Sequence, residues 1–432
     1  IDMARRPGPS GAEERYTISH QGAVGMSKAR TPMKTSDWKI TGMSADVVDD
    51  GQVGGMVDAL RDLSVEGPIE DSELDQDMSV YGIDKPTVTA VVHERDGVST
   101  ELAFGKKNEY LMKRYVKISG RPGIFLSEEA PFIALDKGAQ DIRSKTPFQF
   151  SSDDVREIIL FSGLGQVKIV QSTVGEWRIV EPRDLPASAG AVGDLLSAIR
   201  GISVGTFIDG QENNRAEFGF GKPRARVILV FREDIKPNPV VFQLANKFGG
   251  TDAPSEMFWD SSLSPTIFKL SKDPSDLIVK GVDDLRERRI LKVSYGSIDR
   301  LVSSGEKVEA VDIQTKGMTW TVNGKEPDPE FVEQYLKDLS NLNANAFPES
   351  VPDGAFEKPW LVLTITVKDK KDPLVLTVGQ ESRMPSGEIT RYVRASDSDT
   401  VYLIRDVEAK RLVPHEEALV SPLTPAATPQ KP

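Results

Sequence analysis

One pattern of residues occurs three times along the chain at a period near 140 residues. A repeat of that length restricts the fold to a row of similar modules, each large enough to bury its own core. The pattern is clearest toward the end of each copy. Arg114-Tyr115-Val116-Lys117-Ile118-Ser119 leading to Ile124-Phe125-Leu126 is matched by Met257-Phe258-Trp259-Asp260-Ser261-Ser262 leading to Ile267-Phe268-Lys269. It is matched again by Arg391-Tyr392-Val393-Arg394-Ala395-Ser396 leading to Val401-Tyr402-Leu403.

Independent anchors support the same phasing. Lys-Pro opens an apolar run at Lys85-Pro86, Lys222-Pro223 and Lys358-Pro359, with the prolines 137 and 136 residues apart. Upstream, Trp38, Trp177 and Trp320 each begin a short alternating segment, spaced 139 and 143 residues. Between each Trp and its Lys-Pro the apolar residues follow the i, i+1, i+4, i+7 stripe of a helix covering a sheet. They are Met56, Val57, Leu60 and Leu63, then Leu195, Leu196, Ile199 and Ile202, then Tyr335, Leu336, Leu339 and Leu342. Asp328-Pro329 supplies a cap and a first-turn proline to the third helix. Copies end on Asp141-Ile142-Arg143, Asp284-Leu285-Arg286 and, more loosely, Asp406-Val407-Glu408.

The runs after Lys-Pro are β-branched and alternating, with turns at Asp96-Gly97, Lys236-Pro237-Asn238-Pro239 and Lys370-Lys371-Asp372-Pro373. Each copy therefore reads as two strands, the Trp strand, one helix and about four more strands. The expected class is α+β: three tandem β-rich modules, each a mainly antiparallel sheet with one amphipathic helix packed on it. The boundaries read as a tether over 1–13, modules over 14–145, 146–289 and 290–413, and a flexible Pro-rich tail over 414–432. The tether expectation rests on the charged, Pro/Gly-broken opening ahead of a first strand near Tyr16.

A net charge of −12 argues against a nucleic-acid binder, because affinity for phosphate backbones comes from Lys and Arg. Cysteine is absent, which removes disulfides, thiolate metal sites and a cysteine nucleophile. No apolar run is long enough to cross a bilayer. The chain opens on Ile1 rather than Met, which we read as an N-terminal segment lying ahead of it.

Tyr81-Gly82-Ile83-Asp84-Lys85-Pro86, Leu102-Ala103-Phe104-Gly105-Lys106 and Glu176-Trp177-Arg178-Ile179-Val180-Glu181-Pro182 carry a resemblance. Together with the Trp-helix-Lys-Pro order, these stretches resemble the bacterial family known as domain of unknown function 4340, over residues 14 to 413. The resemblance implies a single membrane helix ahead of the tether and repeats lying on the periplasmic or extracytoplasmic side of the inner membrane. It also implies a place beside the membrane subunits of an ABC transporter of the gliding-motility type, and it brings no catalytic residues. The second copy departs from the pattern, with Leu244-Ala245-Asn246 where the others have Phe104-Gly105-Lys106 and Val378-Gly379-Gln380.

Chemical motifs weaken on inspection. Gly201-Ile202-Ser203-Val204-Gly205 has the spacing of a nucleophile elbow, but that device needs a strand before the serine and a helix after it, and here the helix comes first. His20, His93 and His415 occupy unmatched positions, so no triad or metal centre is expected. Asp71, Glu73, Asp75 and Asp77, or Asp397 with Asp399, lack the glycine and terminal glutamate of a calcium loop. Gly219-Phe220-Gly221-Lys222 runs into a strand rather than a helix N-terminus, which denies a phosphate its amide nest. Trp38, Trp177 and Trp320 read as core anchors.

The expected function is a non-enzymatic scaffold or accessory subunit without cofactor or metal, partnered by ABC transporter membrane subunits or other envelope proteins. The alternative is a carrier holding a lipid or glycan in a groove under a helix. The aromatics not shared between copies, Trp259 and Trp360, are the candidate partner surface, with Lys113, Arg114 and Lys117 of the basic strand in the first copy.

Overall fold

After each Lys-Pro the chain alternates as a half-buried strand should. Ala225, Val227, Leu229 and Phe231 are buried while the residues between them are not, and Leu361, Leu363, Ile365 and Val367 repeat the pattern. The computed structural model describes residues 1–7, 12–20, 30–33, 36–41, 48–69, 75, 77–173, 175–247, 256–306, 308–317 and 319–420.

Three antiparallel sheets result. The first contains β1 (Asp2–Arg5), β2 (Glu14–His20), β3 (Trp38–Thr41), β4 (Val65–Glu66), β5 (Val88–His93), β6 (Ser99–Asn108), β7 (Lys113–Ile118) and β8 (Phe125–Ser127), in the order β3-β2-β1-β5-β6-β7-β8-β4. The second contains β9 (Val155–Ser162), β10 (Gly165–Gln171), β11 (Trp177–Glu181), β12 (Leu185–Pro186), β13 (Val204–Ile208), β14 (Ala225–Phe231), β15 (Val240–Lys247), β16 (Glu256–Ser261) and β17 (Ser264–Leu270), in the order β12-β11-β10-β9-β14-β15-β16-β17-β13. The third contains β18 (Ile298–Ser304), β19 (Asp312–Lys316), β20 (Thr319–Val322), β21 (Leu361–Val367), β22 (Leu374–Arg383), β23 (Ile389–Ala395) and β24 (Val401–Arg405), in the order β20-β19-β18-β21-β22-β23-β24. In all three, the Trp strand folds back through two strands to the strand that follows Lys-Pro. The fold is α+β with β-rich modules.

One long helix belongs to each sheet: α1 (Asp50–Arg61), α3 (Ala189–Arg200) and α6 (Pro329–Ser340), with the shorter α2 (Glu129–Leu135), α4 (Ser275–Ile278), α5 (Val282–Leu285), α7 (Asp406–Arg411) and α8 (Glu416–Val420) around them. The Asp328 carboxylate caps α6 through the Glu330 amide at 2.9 Å, with Pro329 in the first turn. The second core joins Val192, Leu195, Leu196 and Ile199 of α3 to sheet residues such as Leu229, Phe242 and Trp259. The third joins Val332, Leu336 and Leu339 of α6 to Leu363, Leu376 and Val393. The chain divides into two compact units, one from Ile1 to Arg286 holding the first two sheets and one from Glu287 onward holding the third.

Two expectations about the ends are corrected. The region read as a tether contains β1, an inner strand hydrogen-bonded to β2 on one side and β5 on the other, with Met3 buried. Its polar residues obscured this: Asp2 accepts from Thr17 Oγ1 at 2.6 Å, and Arg5 donates to Asp136 at 2.6 Å. At the other end, α8 lies within the region read as tail. Leu419 packs into the third core, and Glu416 bonds Lys325 and Asn323. The remainder of that tail, 421–432, lies outside the described residues, as do Asp71 and Glu73 of the acidic run.

Candidate binding surfaces

The basic strand near Arg114 is an internal clamp. The Arg114 guanidinium lies on the Phe132 ring at 3.4 Å from its centroid. It donates to the Gly105 carbonyl at 2.8 Å and pairs with Glu129, in the first turn of α2, at 2.7 Å. Arg391, its counterpart in the third sheet, pairs with Asp406 at the start of α7 at 2.6 Å and with Glu381 at 2.7 Å, and lies over the Trp360 ring at 4.3 Å. In both modules one arginine ties the strand to the helix that follows the last strand. Met257, the second copy's counterpart, is a buried apolar residue. Lys113 is taken up by Glu66 at 2.5 Å and Glu128 at 3.5 Å, whereas Lys117 is exposed.

Trp259 is corrected from candidate partner surface to core. It is 0% exposed and packs beside Phe242 at 5.7 Å, because its position on β16 is the inward-facing one held by Val116 and Val393 elsewhere. Trp360 is half-buried and packs on the third core beneath Arg391. The five sequence candidates thus scatter: two arginine-strand residues in ion pairs, one Trp in a core, one Trp under a guanidinium and one exposed lysine.

The Phe-Gly-Lys element has a mechanical explanation. A Cβ on Gly105 would lie 2.1 Å from the Tyr81 carbonyl oxygen, and one on Gly379 2.3 Å from that of Ala355. Those same carbonyls accept from the Lys106 and Gln380 amides at 2.7 and 3.0 Å. Both glycines sit at register shifts, between Phe104 and Lys107 and between Val378 and Glu381, so each marks a β-bulge against which a loop backbone lies. In the second sheet the ladder stays regular through Ala245, paired with Phe258. There the close approach belongs to Gly219, whose Cβ would meet the Asn246 carbonyl at 2.4 Å. The glycines serve chain packing in all three sheets.

Ser203 lies between the end of α3 and β13, and its hydroxyl accepts from Ser271 Oγ at 2.9 Å. Asp75 and Asp77 accept from the backbone amides of Asp77 and Ser79 in a turn. Among the described residues, no three His, Asp or Glu side chains form a metal-holding group. No helix of the described residues is long and apolar enough to cross a membrane.

The feature that single-copy reading missed is a cleft of about 470 Å³ in the first module, between the C-terminal half of α1 and the sheet. Val57, Leu60, Leu63 and Val65 form one wall, Val92, Thr100, Leu102 and Ile118 the other, and Arg61 and Arg121 stand at its rim. Val57, Leu60, Leu63 and Val65 are half-buried here, whereas their counterparts Leu196, Ile199, Ile202 and Val204, and Leu336, Leu339, Leu342 and Ala344, are buried. The three helices carry the same apolar stripe, so the stripe alone does not reveal the difference.

In the other two modules the chain entering the sheet packs at this place. Ahead of the second sheet, the Val204 amide donates to the Lys145 carbonyl at 2.8 Å, and Phe148 and Phe150 enter the core. Phe148 meets Phe242 edge-on at 5.2 Å, and Phe150 lies between Phe231 at 5.4 Å and Arg200, which donates to the Phe150 carbonyl. Ahead of the third, the Ala344 amide donates to the Arg288 carbonyl at 2.7 Å, and Leu291 and Val293 enter the core. Arg61, Glu94 and Leu102 of the cleft hold the places of Arg200, Phe231 and Phe242. β4 ends the first sheet as β13 ends the second.

No curated protein matches the chain. A family model described as "Domain of unknown function (DUF4340)" matches residues 38–176 and 177–359, the two segments beginning at Trp38 and Trp177. These segments make up most of the chain, which therefore belongs to the DUF4340 family.

Proposed function

We propose that this protein is a non-enzymatic scaffold or accessory subunit of an ABC-type transporter, held on the extracytoplasmic face of the inner membrane, with three copies of the family unit. The third sheet supports the third copy, since it repeats the strand order of the other two around the same Trp-helix-Lys-Pro anchors. The observation that carries the scaffold reading is the joining of modules. Arg143, 0% exposed at its side chain, crosses from the end of the first module to Asp209 beyond β13 at 2.7 Å, with its guanidinium 3.9 Å from the Phe207 ring centroid. Gln140 bonds the Phe207 backbone in both directions, at 3.2 and 3.1 Å. Such joints suit a protein whose task is to hold surfaces in fixed array.

The test is affinity purification of the natural, membrane-embedded gene product in mild detergent, with mass spectrometry of what accompanies it. Transporter membrane subunits are the expected companions, and a product recovered alone would defeat the reading. A lipid or glycan carrier is the second reading, favoured by the cleft under α1, whose volume falls in the range of about 300–1,000 Å³ common for small-ligand sites.

A further inference from the structure

We infer that the turn joining β6 to β7 dips into an anionic lipid surface, with Tyr110, Leu111 and Met112 at the boundary of headgroups and acyl chains and the lysines behind them on the phosphates. The inference deepens the membrane placement proposed above and rests on it only for the presence of a bilayer. Tyr110 is 93% exposed, Leu111 47% and Met112 58%, three consecutive large apolar side chains at the end of a hairpin. The chain holds them there. The Asn108 side-chain oxygen accepts from the Tyr110 and Leu111 amides at 3.0 and 2.9 Å, and its side-chain nitrogen donates to the Tyr115 hydroxyl at 2.7 Å. The Tyr115 ring in turn meets Tyr81 edge-on at 4.9 Å. Met112 has a φ of 56°, a left-handed backbone that strains a side-chain-bearing residue. The equivalent turn of the third module, Met384-Pro385-Ser386-Gly387-Glu388, has its positive φ at Gly387 and folds Met384 back onto the cluster of Ala355, Tyr392 and Leu403. The corresponding stretch of the second module, 248–255, lies outside the described residues.

What lies behind the tip selects the partner. Lys113 forms the last ladder pair with Asn108, Lys107 stands in the pair before it, and Lys106 precedes Lys107. An apolar point backed by ammonium groups follows the layers of a bilayer from the inside outward, acyl region and then phosphates, and tyrosine suits the boundary between them. Carboxylates that face solvent hold two of these lysines: Lys107 is 3.6 Å from Glu109, and Lys113 meets Glu66 and Glu128. Pairs of that kind are weak, so lipid phosphates can replace the carboxylates. An apolar protein pocket would take the same three side chains but needs no cationic collar. The net charge of −12 repels the remaining surface from anionic lipid, which confines the contact to the tip. Glu109, 79% exposed at its side chain, stands beside Tyr110 and opposes insertion.

The experiment uses the chain as it stands, at physiological salt, with vesicles of phosphatidylglycerol and phosphatidylcholine in equal parts or of phosphatidylcholine alone. Co-sedimentation with the mixed vesicles is expected, weakened about tenfold by Tyr110→Ser with Leu111→Ser, strengthened by Glu109→Gln and much weaker on phosphatidylcholine alone. Because the chain has no cysteine, a nitrobenzoxadiazole label placed through Leu111→Cys reports on the tip directly, and the same label through Ser386→Cys on the third module's turn is the control. The first should brighten and shift to the blue on the mixed vesicles, and the second should not. All the altered side chains are exposed, so the fold is not at stake. Absence of binding to the mixed vesicles, equal binding by the serine variant, or an equal response from the two labels overturns the inference. Failure here with transporter subunits still co-purifying would overturn it and leave the scaffold reading standing.

Discussion

Gly105 and Gly379 owe their identity to a neighbouring carbonyl rather than to a ligand, and this fixes the sign of a simple experiment. Gly105→Ala or Gly379→Ala forces backbone apart at a bulge and is expected to cost about 1–3 kcal/mol, the usual range for overpacking. Ala245→Gly, at the regular ladder of the second sheet, should cost only about 1 kcal/mol through lost backbone restraint. Urea denaturation of the three variants measures both. A second prediction concerns Asp406. Its hydrogen bond to Lys410, and then that to Arg391, hold the carboxyl below the ordinary aspartate range. A lowered carboxylate pKa stabilises the fold above the unfolded value of about 3.9, and that contribution disappears as pH falls through the lowered native value. Asp406→Asn should therefore reduce stability at neutral pH while flattening its decline on acidification, as followed by thermal unfolding between pH 7 and pH 3.

Among the elements, the three long helices share a stripe but not a burial. Ile199→Ala removes a fully buried side chain and is expected to cost about 2–5 kcal/mol. Leu60→Ala, at the equivalent but half-buried place on α1, should cost under about 2 kcal/mol, and denaturant midpoints of the pair would show the gap. Much of this level was legible in sequence. The helices, the strands after Lys-Pro and the turns between them follow from periods of 3.6 and 2 and from Pro/Gly placement. What escaped has identifiable causes. β1 offers only Met3 as a large apolar residue and owes its place to pairing with β2 and β5, which no local pattern reveals. Trp259 looked distinctive because its counterparts are valines, yet all three occupy one inward position. Arg114 and Lys113 read as a partner surface in sequence because Glu129, Glu128 and Glu66 approach them only through the fold.

For the molecule as a whole, the joint at Arg143 decides whether the first two sheets behave as one folding unit. Truncation to Arg143→Ala leaves Asp209 without its guanidinium and takes support from Phe207, and is expected to cost about 3–5 kcal/mol. Calorimetry should then resolve two transitions in Ile1–Arg286 where the unaltered unit shows one. The strand order has a further consequence, for the arithmetic of inheritance. The family segments begin at the Trp strand, so each sequence unit closes one sheet and opens the next: 38–176 starts with β3 and ends by supplying β9 and β10 to the following sheet. An in-frame loss of that segment would leave β1 and β2 ahead of Trp177, in the order that β9 and β10 hold in the second sheet. A deletion at those bounds would thus leave one whole sheet in place of two rather than half of one.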